Sequence, residues 1–220
     1  MFVRYTLVVG TKDWSSWSLR PYLALRATGA VFEEVVVPLR REPLTGDEIR
    51  KHSKAGRVPI LKIEDNGRGT IVWDSLAICE TLAERHPEAK LWPAEPFVRA
   101  EARSYAAEMH AGFPDLRDQL AMDFARRKPL PVLRDETKAQ VARVIDAWSS
   151  ALARFAQDGG FLFGALSVAD CMYAPVVSRF VTYDVAVPKS VETYMARMMA
   201  LPAMRDWGLA AQKEIDAGLA

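Results

Sequence analysis

Three prolines within ten residues, Pro87, Pro93 and Pro96, divide the chain into two stretches of different character. Proline lacks an amide donor and turns the residue before it away from helix, so residues 87–96 read as a linker. Upstream of it, strand and helix signals alternate. Tyr5-Thr6-Leu7-Val8-Val9 is a β-branched apolar run closed by Gly10, the pattern of a buried strand. Leu19, Leu23, Ala24 and Ala27 then recur at helical spacing, with Gly29 as the stop. Pro21 is tolerated in a first turn, which predicts a helix start near residues 16–18. Residues 31–37 read as a second strand parallel to the first, and residues 45–52 as a short helix. Two further strands, 59–63 and 70–73, flank the hairpin signal Asp65-Asn66-Gly67, and a helix opens after Asp74. The expected order is βαβ, a helix, then ββα. Downstream of the linker the chain reads as helix throughout, over 98–124, 137–155, 167–183, 190–199 and from 204 onward. The expected architecture is a mixed α/β domain over residues 1–87 followed by an all-helical bundle over 97–220.

Charge and composition narrow the partners. Across 220 residues, 29 Lys plus Arg stand against 28 Asp plus Glu, a formal net charge of +1. Such a balance lacks the general attraction that nucleic-acid binders and polybasic membrane anchors need, so neither partner is expected. No apolar run reaches the roughly 18 residues of a membrane span, and the first five residues lack the regions of a secretory signal. Cys79 and Cys171 are too few for a disulfide scaffold or a thiolate metal site. His52, His86 and His110 fall in three different elements, and no metal is expected. A soluble chain of the reducing cytoplasm follows as the expectation.

Four segments stand out where the chain enters a helix or a strand. The first is Trp14-Ser15-Ser16-Trp17-Ser18-Leu19-Arg20. A hydroxyl there lies where unpaired backbone N–H groups converge and the helix dipole is positive, a place that stabilises an anion, a thiolate included. The same serines also suit a plain N-cap. A Cys-x-x-Cys pair would occupy this corner in a thioredoxin-like redox protein; its absence removes dithiol exchange from the expectations. The second is Arg57-Val58-Pro59-Ile60, read either as a trans proline opening a strand or as a cis proline that turns the Val58 backbone toward a ligand. The third is Asp74-Ser75, which caps a helix or, alternatively, holds an α-amino acid end, the N–H groups and Ser75 taking the carboxylate and Asp74 the ammonium. The fourth, Ser167-Val168-Ala169-Asp170, reads as a structural capping box. Phosphate-binding glycine loops and the Gly-x-Ser-x-Gly elbow are missing.

Together and in this order, these segments, with Ser53-Lys54-Ala55-Gly56-Arg57-Val58-Pro59 and the Leu91-Trp92-Pro93 linker, resemble the cytosolic glutathione transferases. The resemblance covers nearly the whole chain, and within the family it is nearest to bacterial serine-type members close to the zeta class. It implies a thioredoxin-like N-terminal domain, a helical C-terminal domain, glutathione as co-substrate and a homodimer. Residue by residue, Ser15 matches the serine that hydrogen-bonds the glutathione sulfur, with Ser16 its rival. Val58 matches the backbone clamp on the cysteinyl unit, with Pro59 as the cis proline, and Asp74 and Ser75 match the pair that grips the γ-glutamyl end. Arg57 either reaches the glycyl carboxylate or has a plain surface role. Trp17 stands where the zeta pattern has cysteine, and Thr182-Tyr183-Asp184-Val185 lacks the later arginine of that class, for which Arg179, one turn earlier, is the substitute.

The expected activity is attack of an activated glutathione thiol on a small, largely apolar electrophile. Trp17, Ser104, Tyr105, Glu108, Met109, Phe113 and Arg179 are the candidate pocket residues; those of the first C-terminal helix suit core packing equally well. The alternatives are a glutathione-dependent isomerase or peroxidase of the same fold, and a non-catalytic interaction module.

Overall fold

The computed structural model describes residues 3–41, 43–156 and 159–220. Its first half is a four-stranded sheet in the order β2-β1-β3-β4, built from β1 (Val3–Gly10), β2 (Phe32–Val37), β3 (Ile60–Asp65) and β4 (Arg68–Trp73). β1 is central, parallel to β2 with Val8 opposite Val35, and antiparallel to β3 with Val8 opposite Ile60. Period-two alternation sorts its side chains. Leu7 and Val9 enter the large core, whereas Val8 faces a smaller one with Val37, Ile49 and Ile60. Asn66 and Gly67 close the β3–β4 hairpin with φ of 50° and 76°, the two positive values that a tight two-residue turn requires.

The helices of this half are α1 (Ser16–Thr28), α2 (Leu44–Arg50) and α3 (Ser75–Arg85). The order is the expected βαβ, α, ββα. Gly29 ends α1 in the left-handed conformation at φ 72°. Pro21 sits in the second turn of α1, not the first, so the Trp17 carbonyl receives no helical N–H from it. The linker is pinned at both ends of Leu91-Trp92: Val168 donates its N–H to the Leu91 carbonyl at 2.8 Å, and Trp92 Nε1 donates to Glu80 at 3.0 Å.

The second half holds α4 (Pro96–Ala111), α5 (Pro114–Gln119), α6 (Asp135–Phe155), α7 (Val168–Thr182), α8 (Lys189–Ala200) and α9 (Pro202–Asp216). One expected element is corrected. Residues 98–124 are not a single helix; the chain breaks at Gly112-Phe113-Pro114. Phe113 has φ 64°, in the left-handed region, and Pro114 brings no N–H to continue the ladder. A Cβ on Gly112 would lie 2.8 Å from the Glu108 carbonyl oxygen, so glycine is needed for this close turn.

The capping box before α7 forms as read from the sequence. The buried Asp170 carboxylate accepts from Leu162 N–H (3.0 Å), Ser167 N–H (2.8 Å) and the Ser167 hydroxyl (2.8 Å). Burial raises its pKa from 3.8 to about 6, against the lowering effect of those donors. The raised value has a definite sign. Between pH 3.8 and about 6 the folded chain binds a proton that the unfolded chain has released, so this group's contribution to stability falls as pH rises through that window. Asp170→Ala strands two buried N–H groups and is expected to cost about 3 kcal/mol. Urea denaturation checks this, and Asp170→Asn is expected to flatten the stability slope over the same pH range.

Candidate functional site

Where β4 ends and α3 begins, the chain turns through Asp74 at φ 74°, an unusual value for a residue with a side chain. The turn is held by Asp74 Oδ1, which accepts the Leu76 and Ala77 N–H groups at 2.9 and 3.3 Å. Its other oxygen, Oδ2, lies 3.4 Å from Nε2 of His110 on α4. Ser75 is fully buried at the first position of α3, and Arg20 Nη1 donates to its hydroxyl at 3.4 Å. Across from this turn the Val58–Pro59 peptide bond is cis. Between the two runs a cleft of about 630 Å³, lined by Trp17, Ala55, Arg57, Val58, Pro59, Trp73, Asp74 and Ser75. The five residues assigned by resemblance to glutathione thus share one cleft, with Arg57 exposed at its edge.

The serine corner borders this cleft through Trp17. Ser15 precedes α1 with a non-helical backbone, and neither it nor Ser16 caps a helix N–H through its side chain. Ser15, rather than Ser16, holds the N-cap position. Both are nearly buried, at 5% and 6% exposure. The Ser15 hydroxyl meets the fully buried Ser18 hydroxyl at 2.7 Å, and Ser18 Oγ accepts the Gly10 N–H at 3.1 Å. A chain of donors therefore runs from the end of β1 to the start of α1.

Trp17 is held by charge and by an aromatic edge. The guanidinium carbon of Arg20 lies 4.2 Å from its ring centroid and that of Arg117 lies 4.9 Å away. His110 meets it edge-on at 5.3 Å. Arg20 is wholly buried, forms no ion pair with a carboxylate among the described residues, and has its Nε without a partner. Burial, reinforced by the nearby Arg117 charge, lowers its pKa to about 9.

The other six candidate pocket residues do not line the cleft. The exposed Ser104 bonds back to the Ala100 carbonyl, and Tyr105 packs edge-on against Phe163. Glu108 forms a two-pronged pair with Arg143 of α6 at 2.8 Å in both contacts. Met109 and Phe113 are buried in the core. Arg179 donates to the backbone carbonyls of Arg117, at 3.1 Å, and Leu120. Of α4, it is His110 that reaches the cleft residues Trp17 and Asp74, while the helix packs on α7. Trp73 and Ala55 are the lining residues that the sequence reading missed. Trp73 was legible as the last residue of the strand before Asp74; Arg117, about a hundred residues from Trp17, carried no local signal. Both cysteines are buried and free, and burial pushes the Cys79 thiol up to about 12, so neither is a ready nucleophile. No cluster of three or more metal-ligating side chains occurs among the described residues, and no helix is long and apolar enough to cross a membrane.

A thioredoxin-like four-stranded sheet with its helices, joined to a helical domain, is the architecture of the glutathione transferases, and the comparisons agree. Residues 14–85 match the family profile "Glutathione S-transferase, N-terminal domain" and residues 131–207 match "Glutathione S-transferase, C-terminal domain". The chain belongs to the glutathione S-transferase family. It is 26% identical over 160 residues to glutathione S-transferase omega-1 of Rattus norvegicus, an alignment that covers 73% of this chain and only 61% of the rat protein. It is 28% identical over 159 residues to a maleylacetoacetate isomerase of Pseudomonas aeruginosa, covering 68% of this chain and 69% of that one. The fold matches that of a Burkholderia glutathione transferase homologue with bound glutathione at a TM-score of 0.70, with 23% identity, 96% of this chain and 98% of that one covered.

Proposed function

We propose that this chain is a glutathione transferase that binds glutathione in the cleft beside α1 and activates its thiol for attack on a small electrophile. The reading is supported above all by the convergence of Arg57, Val58, Pro59, Asp74 and Ser75 on one cleft that opens next to the N-terminal turn of α1. In this reading the Val58 backbone pairs with the cysteinyl unit. Ser75, through its hydroxyl and its N–H, takes the γ-glutamyl carboxylate, Asp74 takes the ammonium through Oδ2, and Arg57 takes the glycyl carboxylate.

The sulfur then lies near Ser15. A hydroxyl has one proton and two lone pairs, so the Ser15–Ser18 contact runs in either direction by rotation of two O–H bonds. When Ser18 donates to Ser15, the Ser15 proton is free for the thiolate, and the Gly10 N–H still supports Ser18. A free thiol titrates near pH 8.5. A charge-assisted hydrogen bond contributes about 1.5–3 kcal/mol, and the helix N-terminus about 0.3–1 kcal/mol. At about 1.4 kcal/mol per unit these lower the thiol pKa by roughly one to three units, enough for abundant thiolate at neutral pH. The unpaired Arg20 charge beneath Ser75 acts in the same direction. The thiolate forms a sulfur–carbon bond with the electrophile while the leaving group, or the π-electrons of an activated double bond, takes the displaced pair. Trp17 and Trp73 give the electrophile largely apolar walls.

Ser15→Ala is expected to raise the bound-thiol pKa by roughly one to two units. Ser18→Ala is expected to raise it by less, since it removes only the support of the donor chain. Ultraviolet titration of bound glutathione measures both, and a Ser15→Ala curve that overlays the wild type refutes the assignment.

The second reading is a glutathione-dependent isomerase, favoured by the kinship with the Pseudomonas aeruginosa protein of that name. Against it, the Arg179 guanidinium is engaged with two backbone carbonyls, so it is not free to hold a substrate carboxylate. Parallel conjugation and maleylacetoacetate isomerisation assays separate the two, and conjugation is the expected activity.

The same reading includes a homodimer through α3 and α4. Phe97 at the start of α4 is 86% exposed, a large aromatic side chain left uncovered on a helix assigned to that interface. Sedimentation is expected to give twice the 24.6 kDa chain mass, and Phe97→Asp to shift it toward the single chain.

A further inference from the structure

The loop between β1 and α1, residues 11–15, carries Ser15 and is almost entirely buried: Thr11, Lys12, Asp13 and Ser15 are at most 6% exposed. A buried loop must satisfy its backbone polar groups within the protein. Part of this is local, since Trp14 and Ser15 donate their N–H groups to the Thr11 carbonyl at 3.1 and 2.8 Å. Three of the four backbone groups of Lys12 and Asp13 are satisfied instead from α9, near the far end of the chain, and the fourth from Phe124. Glu214 Oε2, on α9, accepts the Lys12 N–H at 2.6 Å and the Asp13 N–H at 3.2 Å. Trp207 Nε1, also on α9, donates to the Lys12 carbonyl at 2.8 Å. The Asp13 carbonyl accepts the Phe124 N–H at 3.1 Å, and Asp13 Oδ1 accepts the Ala125 N–H at 2.9 Å. The Lys12 ammonium lies between the Tyr22 and Trp207 rings, 5.2 and 5.1 Å from their centroids, and pairs with Glu34 at 2.5 Å.

We infer that α9 is a clamp on the loop that carries Ser15, with Glu214 and Trp207 as positioning residues for the thiolate-stabilising hydroxyl. The geometry favours this over simple docking of a terminal helix. Docking is already provided by the apolar burial of Met204, Trp207 and Ala211 and by the Arg26–Asp206 pair at 2.8 Å on α1. Glu214 adds a carboxylate oxygen shared by two successive N–H groups, the arrangement that fixes a backbone rather than a helix face. Those N–H groups stand two and three residues before Ser15. The Ser15 backbone is tied to the same loop through its N–H on the Thr11 carbonyl, so a change in the path of residues 12–13 shifts its hydroxyl against Ser18. Because catalytic hydrogen bonds lose strength steeply with distance and angle, a small displacement there is read out in the sulfur rather than in overall folding. The inference rests on the reading of Ser15 given above.

The test compares Glu214→Ala with Glu214→Gln, which keeps an acceptor oxygen, in the full chain. Three readouts are taken: ultraviolet titration of bound glutathione, the split between kcat and KM for glutathione, and hydrogen exchange of the loop amides. Glu214→Ala is expected to raise the bound-thiol pKa by about half to one unit, a roughly three- to tenfold fall in the thiol's ionisation constant. KM for glutathione is expected to stay within about twofold, because the Asp74, Ser75 and Val58 contacts are untouched, and the Lys12 and Asp13 amides exchange faster. Glu214→Gln is expected to restore most of the wild-type titration. A Glu214→Ala protein with a lower melting temperature but an unmoved titration overturns the inference and leaves α9 a structural helix. Loop amides that exchange as in the wild type overturn it as well. A wild-type protein with no bound-thiolate band is a different outcome: it overturns the reading of the site and the inference with it.

Discussion

The structure depends on the burial of α1 around nearly its whole girth. Residues 18–25 of this helix are all buried, and it packs on β1, α3, α7 and α9. A helix enclosed in this way belongs to the core rather than to a surface, and here the core is shared by both halves of the chain. Leu19, Leu23 and Leu25 alone contribute about 1.5–3 kcal/mol each in apolar burial. The N-terminal sheet and the helical bundle therefore meet on this helix. The candidate active site is the polar end of the same element, and its geometry is set wherever α1 is set.

That enclosure has an electrostatic consequence. Arg20 and Arg179 are nearly or fully buried and Arg117 is half-buried, and among the described residues none of the three forms an ion pair with a carboxylate. Arg179 and Arg117 are engaged by backbone carbonyls at helix ends, where the dipole is negative. Arg20 has the face of Trp17 and the Ser75 hydroxyl. Burying cations without counterions is costly, and the burial-lowered values of about 9 for Arg20 and about 10 for Arg179 express that cost. The result is unpaired positive charge beneath the cleft. The helix dipole of α1, the serine chain and Arg20 all favour negative charge at one end of the cleft.

Much of this was legible in the sequence because the signals are local. A β-branched run closed by glycine, an Asn-Gly turn, a proline-rich linker and a Ser-x-x-Asp box each act through neighbours a few residues away, and each appears where the chain order puts it. The break at Gly112-Phe113-Pro114 was equally local, yet it was overridden in the reading by the helical periodicity on either side. The candidate pocket residues on α4 went elsewhere for a different reason. Helical spacing shows that residues share a face but not what each meets: Tyr105 meets Phe163, Glu108 meets Arg143 of α6, and Ser104 stays exposed.

The sequence by itself determined the element order, the division at the prolines, and the residue types able to hold a peptide end and a thiolate. Only the tertiary structure decided that Arg57, Val58, Pro59, Asp74 and Ser75 open into one cleft, and that Trp17 is wedged between Arg20, Arg117 and His110. It also decided that Glu214, some two hundred residues along the chain, bonds the backbone just ahead of Ser15. The physical reason is the same in each case. Propensity and capping act over one turn of chain, whereas burial brings together groups whose separation in sequence leaves no trace in the pattern of either segment.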